Sequence, residues 1–176
     1  MSDFKIDNLK GKLQGGGARA NLFKTTFTGP FVDTVADISS HLCKAAQLPG
    51  STVGVVPIAY RGQVLKVAGD RTYENWTVTF INDEGFDIRD AFERWMNSMS
   101  QHVEGEGSIN PEDYQATMQV DQLSRNGGDP AKTVVINGAF PVAISAIDLS
   151  YETTDAIEEF TVEFAYQYWT SVGTTS

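Results

Sequence analysis

The feature that most constrains this chain lies near its end, where Phe160–Tyr168 alternates without a break. Phe160, Val162, Phe164, Tyr166 and Tyr168 fall on one side, and Thr161, Glu163, Ala165 and Gln167 on the other. Successive side chains of a strand point to opposite faces, so such a segment is a strand with one apolar and one wet face. Clean alternation is the mark of antiparallel sheets covered on one side only. Asn75–Ile81 repeats the pattern, with Trp76, Val78 and Phe80 opposite Thr77, Thr79 and Ile81. Tyr114–Leu123 sets Tyr114, Ala116, Met118 and Val120 against Gln115, Thr117, Gln119 and Asp121. Further strands are predicted over Leu22–Thr28, Ile38–Ala45, Thr133–Asn137 and Ile147–Tyr151. Val53–Tyr60 and Gln63–Ala68 read as two strands joined across Arg61-Gly62, and Pro57, lacking an amide donor, places the first at an edge or bulge.

One helix interrupts the strands. Ile88, Ala91, Phe92, Trp95, Met96 and Met99 recur at helical spacing. Asp83 suits the N-cap, Glu84 and Asp87 put negative charge in the first turn, and the helix is predicted to run to Gln101. Asp90 and Arg94 stand four apart and can pair. Seven or eight antiparallel strands with one flanking helix predict a mainly β fold, a β-sandwich or partly open barrel. The expected organisation is a flexible arm over residues 1–20, with Gly15-Gly16-Gly17 as its joint, one β domain over 21–170 and a tail over 171–176. The arm is either a disordered end or a segment that docks on a neighbouring subunit.

Charge removes one class of function. The chain carries 23 Asp+Glu against 13 Lys+Arg, a formal net charge of −10. Gripping DNA requires a basic footprint that neutralises phosphates. An acidic surface repels them and keeps the protein soluble. The start lacks the basic and apolar stretches of a signal peptide, so folding in a cytoplasm is expected, and no apolar run implies a membrane anchor. Cys43 is the sole cysteine, which rules out an intrachain disulfide.

The sequence offers little chemistry. His41 and Cys43 would share a face of a strand as a base and a nucleophile, but no third group is spaced to orient them. Asn82, Asp83, Glu84 and Asp87 lack the alternating oxygen ligands of a calcium loop, and helix capping accounts for them better. Gly15-Gly16-Gly17 precedes no Lys-Ser/Thr pair of a phosphate loop. Asp70-Arg71 reads as a polar turn with a local ion pair. No cofactor, metal or catalytic residue is predicted.

Four segments in order, Ala18–Phe23, Cys43–Pro49, Val67–Glu84 and Phe160–Trp169, resemble the tail tube proteins of T4-like contractile-tailed phages. The resemblance implies a small β-sandwich with one helix that forms stacked hexameric rings, a tube inside a contractile sheath and a conduit for the genome. It implies contacts with copies of itself, the sheath protein, baseplate and tail terminator proteins, a tape measure protein in the lumen and, in passing, DNA. Leu48, Pro49, Val56, Pro57, Tyr60 and Arg61 become candidates for contact between subunits, and Thr77, Thr79, Thr161, Glu163 and Gln167 candidates for the lumen. A tube protein of a secretion or toxin-injection machine is the alternative. A small ligand-binding β-barrel or enzyme would need a pocket with convergent polar groups.

Overall fold

The computed structural model describes residues 6–13, 17–33, 36–100, 107, 110–125 and 130–172. A short helix α1 (Ile6–Lys12) precedes β1 (Phe23–Thr28), α2 (Ala36–Leu42) and β2 (Cys43–Ala46). A long hairpin, β3 (Thr52–Tyr60) and β4 (Gln63–Thr72), follows, then β5 (Trp76–Ile81) and the main helix α3 (Asp87–Met99). A helical turn α4 (Pro111–Tyr114) leads into β6 (Ala116–Leu123), β7 (Pro130–Ile144), β8 (Glu159–Ala165) and β9 (Tyr168–Ser171).

Two antiparallel sheets share the 15-residue strand β7. Its first half lies between β6 and β9, with β1 beyond β6; its second half pairs with β8, followed by β5 and β2. Neither sheet closes into a barrel, so β1 and β2 are left as open edges. The inner faces meet through aromatic side chains. Phe27 of β1 lies 5.6 Å from Phe80 and 6.4 Å from Phe164, ring centre to ring centre. Helix α3 covers the core with Ile88, Ala91, Phe92 and Trp95, all buried; Met96, at the border of that stripe, is only half-buried. Trp95 donates its indole N–H to the Tyr114 carbonyl at 2.7 Å, so this large core side chain leaves no unpaired donor.

The alternation read from β5 holds: Trp76, Val78 and Phe80 are buried and the intervening residues are half-exposed. Along Phe160–Tyr168 it holds only to Phe164. The chain then changes sheets. β8 pairs with Phe140–Ile144 and β9 with Val134–Asn137, and the step between them is pinned where the Gln167 N–H donates to the Asn137 carbonyl. Switching sheets inverts the faces, so Tyr168 is exposed and Ser171 buried. Gly138 makes the switch possible: its φ is +65°, and a Cβ there would stand 2.7 Å from Cγ of Gln167.

Several predicted elements are corrected. Residues 38–42 are helical, and only Cys43–Ala46 is strand. Local bonds decide this, with Ser39 Oγ donating to the Ala36 carbonyl and His41 Nδ1 meeting the Asp37 carbonyl. Ile147–Tyr151 forms no strand, because residues 145–158 run as an irregular surface loop. Tyr114 closes a helical turn, and the strand Thr133–Asn137 is part of the much longer β7. Helix α3 starts at Asp87, after Phe86 in the left-handed region at φ 57°. Asp83 stands one turn earlier, where its carboxylate accepts the Asp87 N–H at 3.3 Å. Arg94 turns back to the Asp90 carbonyl, and the pair along α3 is Arg89–Glu93 at 2.8 Å. Asp70 and Arg71 lie within β4, where neighbours face opposite ways and do not pair. The predicted joint Gly15-Gly16 and the predicted helix end at Gln101 lie outside the described residues.

Candidate assembly surfaces

The hairpin β3–β4 stands apart from both sheets, since its strands pair only with each other. Arg61 and Gly62 form its tip at φ 47° and 82°, the two positive values that a tight two-residue hairpin turn requires. Arg61 lies over the Tyr60 ring, 5.5 Å from its centre. The register places Val56 opposite Val67 and Ile58 opposite Leu65 on one face, and Val55 opposite Ala68 and Ala59 opposite Val64 on the other. Both faces are therefore largely apolar, Lys66 opposite Pro57 being the charge on the second, and both are bare: Val55 is 60% exposed, Leu65 62% and Tyr60 67%. A two-stranded hairpin is marginal by itself in water, and one apolar on both faces is made to be covered.

Its root is firmly held. Trp76 Nε1 donates to the Gln47 carbonyl at 2.6 Å, and Trp169 Nε1 and the Tyr166 hydroxyl reach the Gly50 carbonyl at 3.2 and 3.5 Å. Burial, with Tyr73 and Glu74 nearby, pushes the Tyr166 phenol above its ordinary pKa. Tyr73 packs on Tyr166 at 5.7 Å. Leu48 and Pro49 lie between the two tied carbonyls, with Leu48 exposed. The structure thus brings Val56, Pro57, Tyr60 and Arg61 together on one projection and sets Leu48 and Pro49 at its base. Val55 and Ile58 fall in the span Ala45–Gly62 expected from the sequence to meet the next subunit, whereas Val64, Leu65 and Val67, which share the exposed faces, were not singled out. Their signal was the lack of alternation in Val53–Tyr60 and Val64–Ala68, which marks strands covered on both faces.

The second surface is the outer face of β5 and β8. Thr77 stands opposite Glu163 and Thr79 opposite Thr161, so four of the five lumen candidates form one polar patch. Lys44 at the β2 edge pairs with Glu159 beside it. Gln167 is separate, at the sheet-switching step against Gly138.

His41 and Cys43 do not share a strand face. His41 lies in the last turn of α2 and meets Asp37, whereas Cys43 begins β2, and burial raises its thiol pKa, the opposite of activation. Among the described residues no group of three or more His, Cys, Asp or Glu side chains could hold a metal. No described helix is long and apolar enough to cross a membrane.

Comparison with known proteins shows the family of the chain. The phage tail tube protein family matches residues 18–172. The chain belongs to that family. It is 30% identical over 165 residues to tail tube protein gp19 of Enterobacteria phage T4, covering 93% of this chain and 98% of that protein. The tail tube protein of Serratia phage KSP90 is 24% identical over 166 residues, covering 92% and 93%. Among solved structures, a chain of the anti-feeding prophage baseplate superposes with a TM-score of 0.68 at 14% identity, covering 91% of this chain and 98% of that one. At that identity the likeness shows the fold alone. Family and fold make this chain a structural component of a contractile phage tail, in a family that is not one of enzymes.

Proposed function

We propose that this chain forms six-membered rings that stack into the inner tube of the tail, and that the phage genome leaves through the bore. The observation that carries the reading is the hairpin β3–β4, apolar on both faces and tied only at its root. Burying one aliphatic side chain is worth about 1.5–3 kcal/mol, so several half-bare ones leave a large gain unrealised until a neighbour covers them. The open edges β1 and β2 favour the same outcome, because unpaired strand edges recruit other chains and ring closure removes them.

The outer face of β5 and β8 is the lumen surface in this reading. Thr77, Thr79 and Thr161 present hydroxyls, and Glu163 adds a negative charge that repels phosphate, so DNA slides without sticking. Leu48, Pro49, Val56, Pro57, Tyr60 and Arg61 contact the next subunit or ring. The sheath encloses the tube, the baseplate and terminator proteins bound its ends, and a tape measure protein fills the lumen before DNA does. Assembly takes place in the host cytoplasm, with residues 1–20 as an arm ahead of a single domain.

Sedimentation of the purified protein over a concentration series, with negative-stain imaging of the heaviest fraction, tests this. Rings and stacked tubes of six-fold outline are expected. A species that stays monomeric at high concentration, even with the tube-initiating baseplate supplied, would sink the reading.

A further inference from the structure

Two surfaces remain outside the tube contacts above, and they complement each other. The first is α1, which lies ahead of the span matched by the family. Ile6, Leu9 and Leu13 recur at helical spacing on one side, each at least half exposed, and Lys10 and Lys12 lie in its last turn. The second is the loop 145–158, which carries Asp148, Glu152, Asp155 and Glu158 and no basic residue. Its ends are tied to the body: Arg89 Nη1 donates to the Ser145 carbonyl at 3.2 Å, and the Asn82 N–H donates to the Glu158 carbonyl at 2.8 Å. Between those ties it surrounds a cavity of about 510 Å³ lined by Ile147, Leu149, Tyr151 and Ile157, with Asp148 and Glu158 beside them. Leu149 is 80% exposed.

The chain that follows α1 and the loop join the sandwich at opposite ends of β7. The chain enters the sheets where the Leu123 N–H donates to the Leu22 carbonyl, and Leu123 pairs with Pro130, the first residue of β7. The loop begins just after Ile144, the last residue of β7. Complementary patches whose attachment points lie at opposite ends of one strand favour head-to-tail contact, which propagates from one copy to the next.

We propose that α1 of one subunit seats its Ile6–Leu9–Leu13 face in the apolar cup of the 145–158 loop of a second copy, with its basic last turn against the loop's carboxylates. The loop is then a receptor for the arm, and each subunit is latched to a neighbour outside the hairpin contact. The inference rests on the tube reading only in requiring self-association.

Site-directed disulfides test it in assembled protein. In a Cys43→Ser background, one preparation carries Leu9→Cys and another Leu149→Cys; the two are mixed before assembly and then oxidised. A dimer-sized disulfide product is expected from the mixture and not from either preparation alone. Ile6→Cys with Ile157→Cys gives an independent pair, and all four positions are exposed enough to leave folding intact. Adding Asp148→Lys and Asp155→Lys to the loop partner should lower the yield roughly two- to fivefold at low salt. Tubes that form normally without a disulfide from either pair overturn the docking and leave the tube reading standing. A disulfide found only within a single chain carrying both cysteines also overturns it, in favour of an arm folded on its own subunit. A cysteine-free parent that never assembles overturns the docking and the tube reading together.

Discussion

The sandwich core and the β3–β4 hairpin are built from the same kinds of residue and reach opposite fates. In the core, Trp76, Val78, Phe80, Phe160, Val162 and Phe164 alternate with polar residues, and every one is buried. In the hairpin, Val55, Val56, Ile58, Val64, Leu65 and Val67 occupy both faces, and every one is exposed. Apolar content therefore does not say where a chain hides its surface. Alternation marks a strand that completes its burial within its own domain, with water on the far side. Apolar residues on both faces of a strand that pairs with nothing but its own hairpin mark burial that a second chain must supply.

Replacing Ile58 and Leu65 together with Asp breaks the comparison most severely. The pair lies on one face of the hairpin, and charge there should raise the concentration needed for assembly by roughly a hundredfold or more. The unfolding free energy of the isolated subunit should change by no more than about 0.5 kcal/mol, since nothing in the subunit covers these residues. Sedimentation reads the first quantity and urea denaturation the second. A large loss of subunit stability would mean that the hairpin packs on its own domain.

Trp95→Ala is the converse. Its ring is fully buried against Phe31, Phe92 and Phe164, and its N–H is satisfied. Truncation should cost about 3–5 kcal/mol of subunit stability. Surviving subunits, assayed well below their melting temperature, should still assemble. If Trp95→Ala left the denaturation midpoint unchanged while the hairpin variant lowered it, the two regions would have exchanged roles.

Glu163→Lys probes the polar patch on the outer face of β5 and β8. A lysine in each subunit would set a ring of cations in the bore. Genome ejection should slow at low salt with tube assembly unchanged, and the rate should recover as salt screens the contacts. Ejection at the normal rate at low salt would place Glu163 away from the bore, and failed assembly would place it in an interface. The smallest effect is expected from Glu93→Ala, which removes an exposed partner of Arg89 and should cost about 0.5 kcal/mol. Arg89 keeps its bond to the Ser145 carbonyl and its place over the Phe160 ring.

What the sequence made legible follows the same division. β5, the first half of Phe160–Tyr168 and the buried stripe of α3 were readable, because in each case the burial period belongs to one element within one domain. Ile38–Leu42 was misread as strand because Ser39, Ser40 and His41 bond to the local backbone and favour a turn of helix, which apolar content does not report. Ile147–Tyr151 alternates yet forms no strand, since no neighbouring strand offers it an edge. The inversion after Phe164 depends on Gly138, a residue far away in sequence, and so on tertiary pairing that no local period contains. For the candidate surfaces, Val56, Pro57, Tyr60 and Arg61 do lie together on one projection, but that projection was read as part of the sandwich. Its separation from both sheets, with the exposure of Val55, Ile58, Val64, Leu65 and Val67 that follows, became visible only in three dimensions. Thr77, Thr79, Thr161 and Glu163 share one face because β5 and β8 pair in register, whereas Gln167 stands apart at the switch between sheets.

Hydrogen exchange of the backbone amides of Thr52–Thr72, compared between the dissociated subunit and the assembled tube, tests the central claim most directly. The amides of a bare two-stranded hairpin should exchange quickly in the free subunit and gain strong protection on assembly, while those of β5 and β8 stay protected throughout. Equal exchange of the hairpin in both states would contradict the claim that its apolar faces are covered by another copy of the chain.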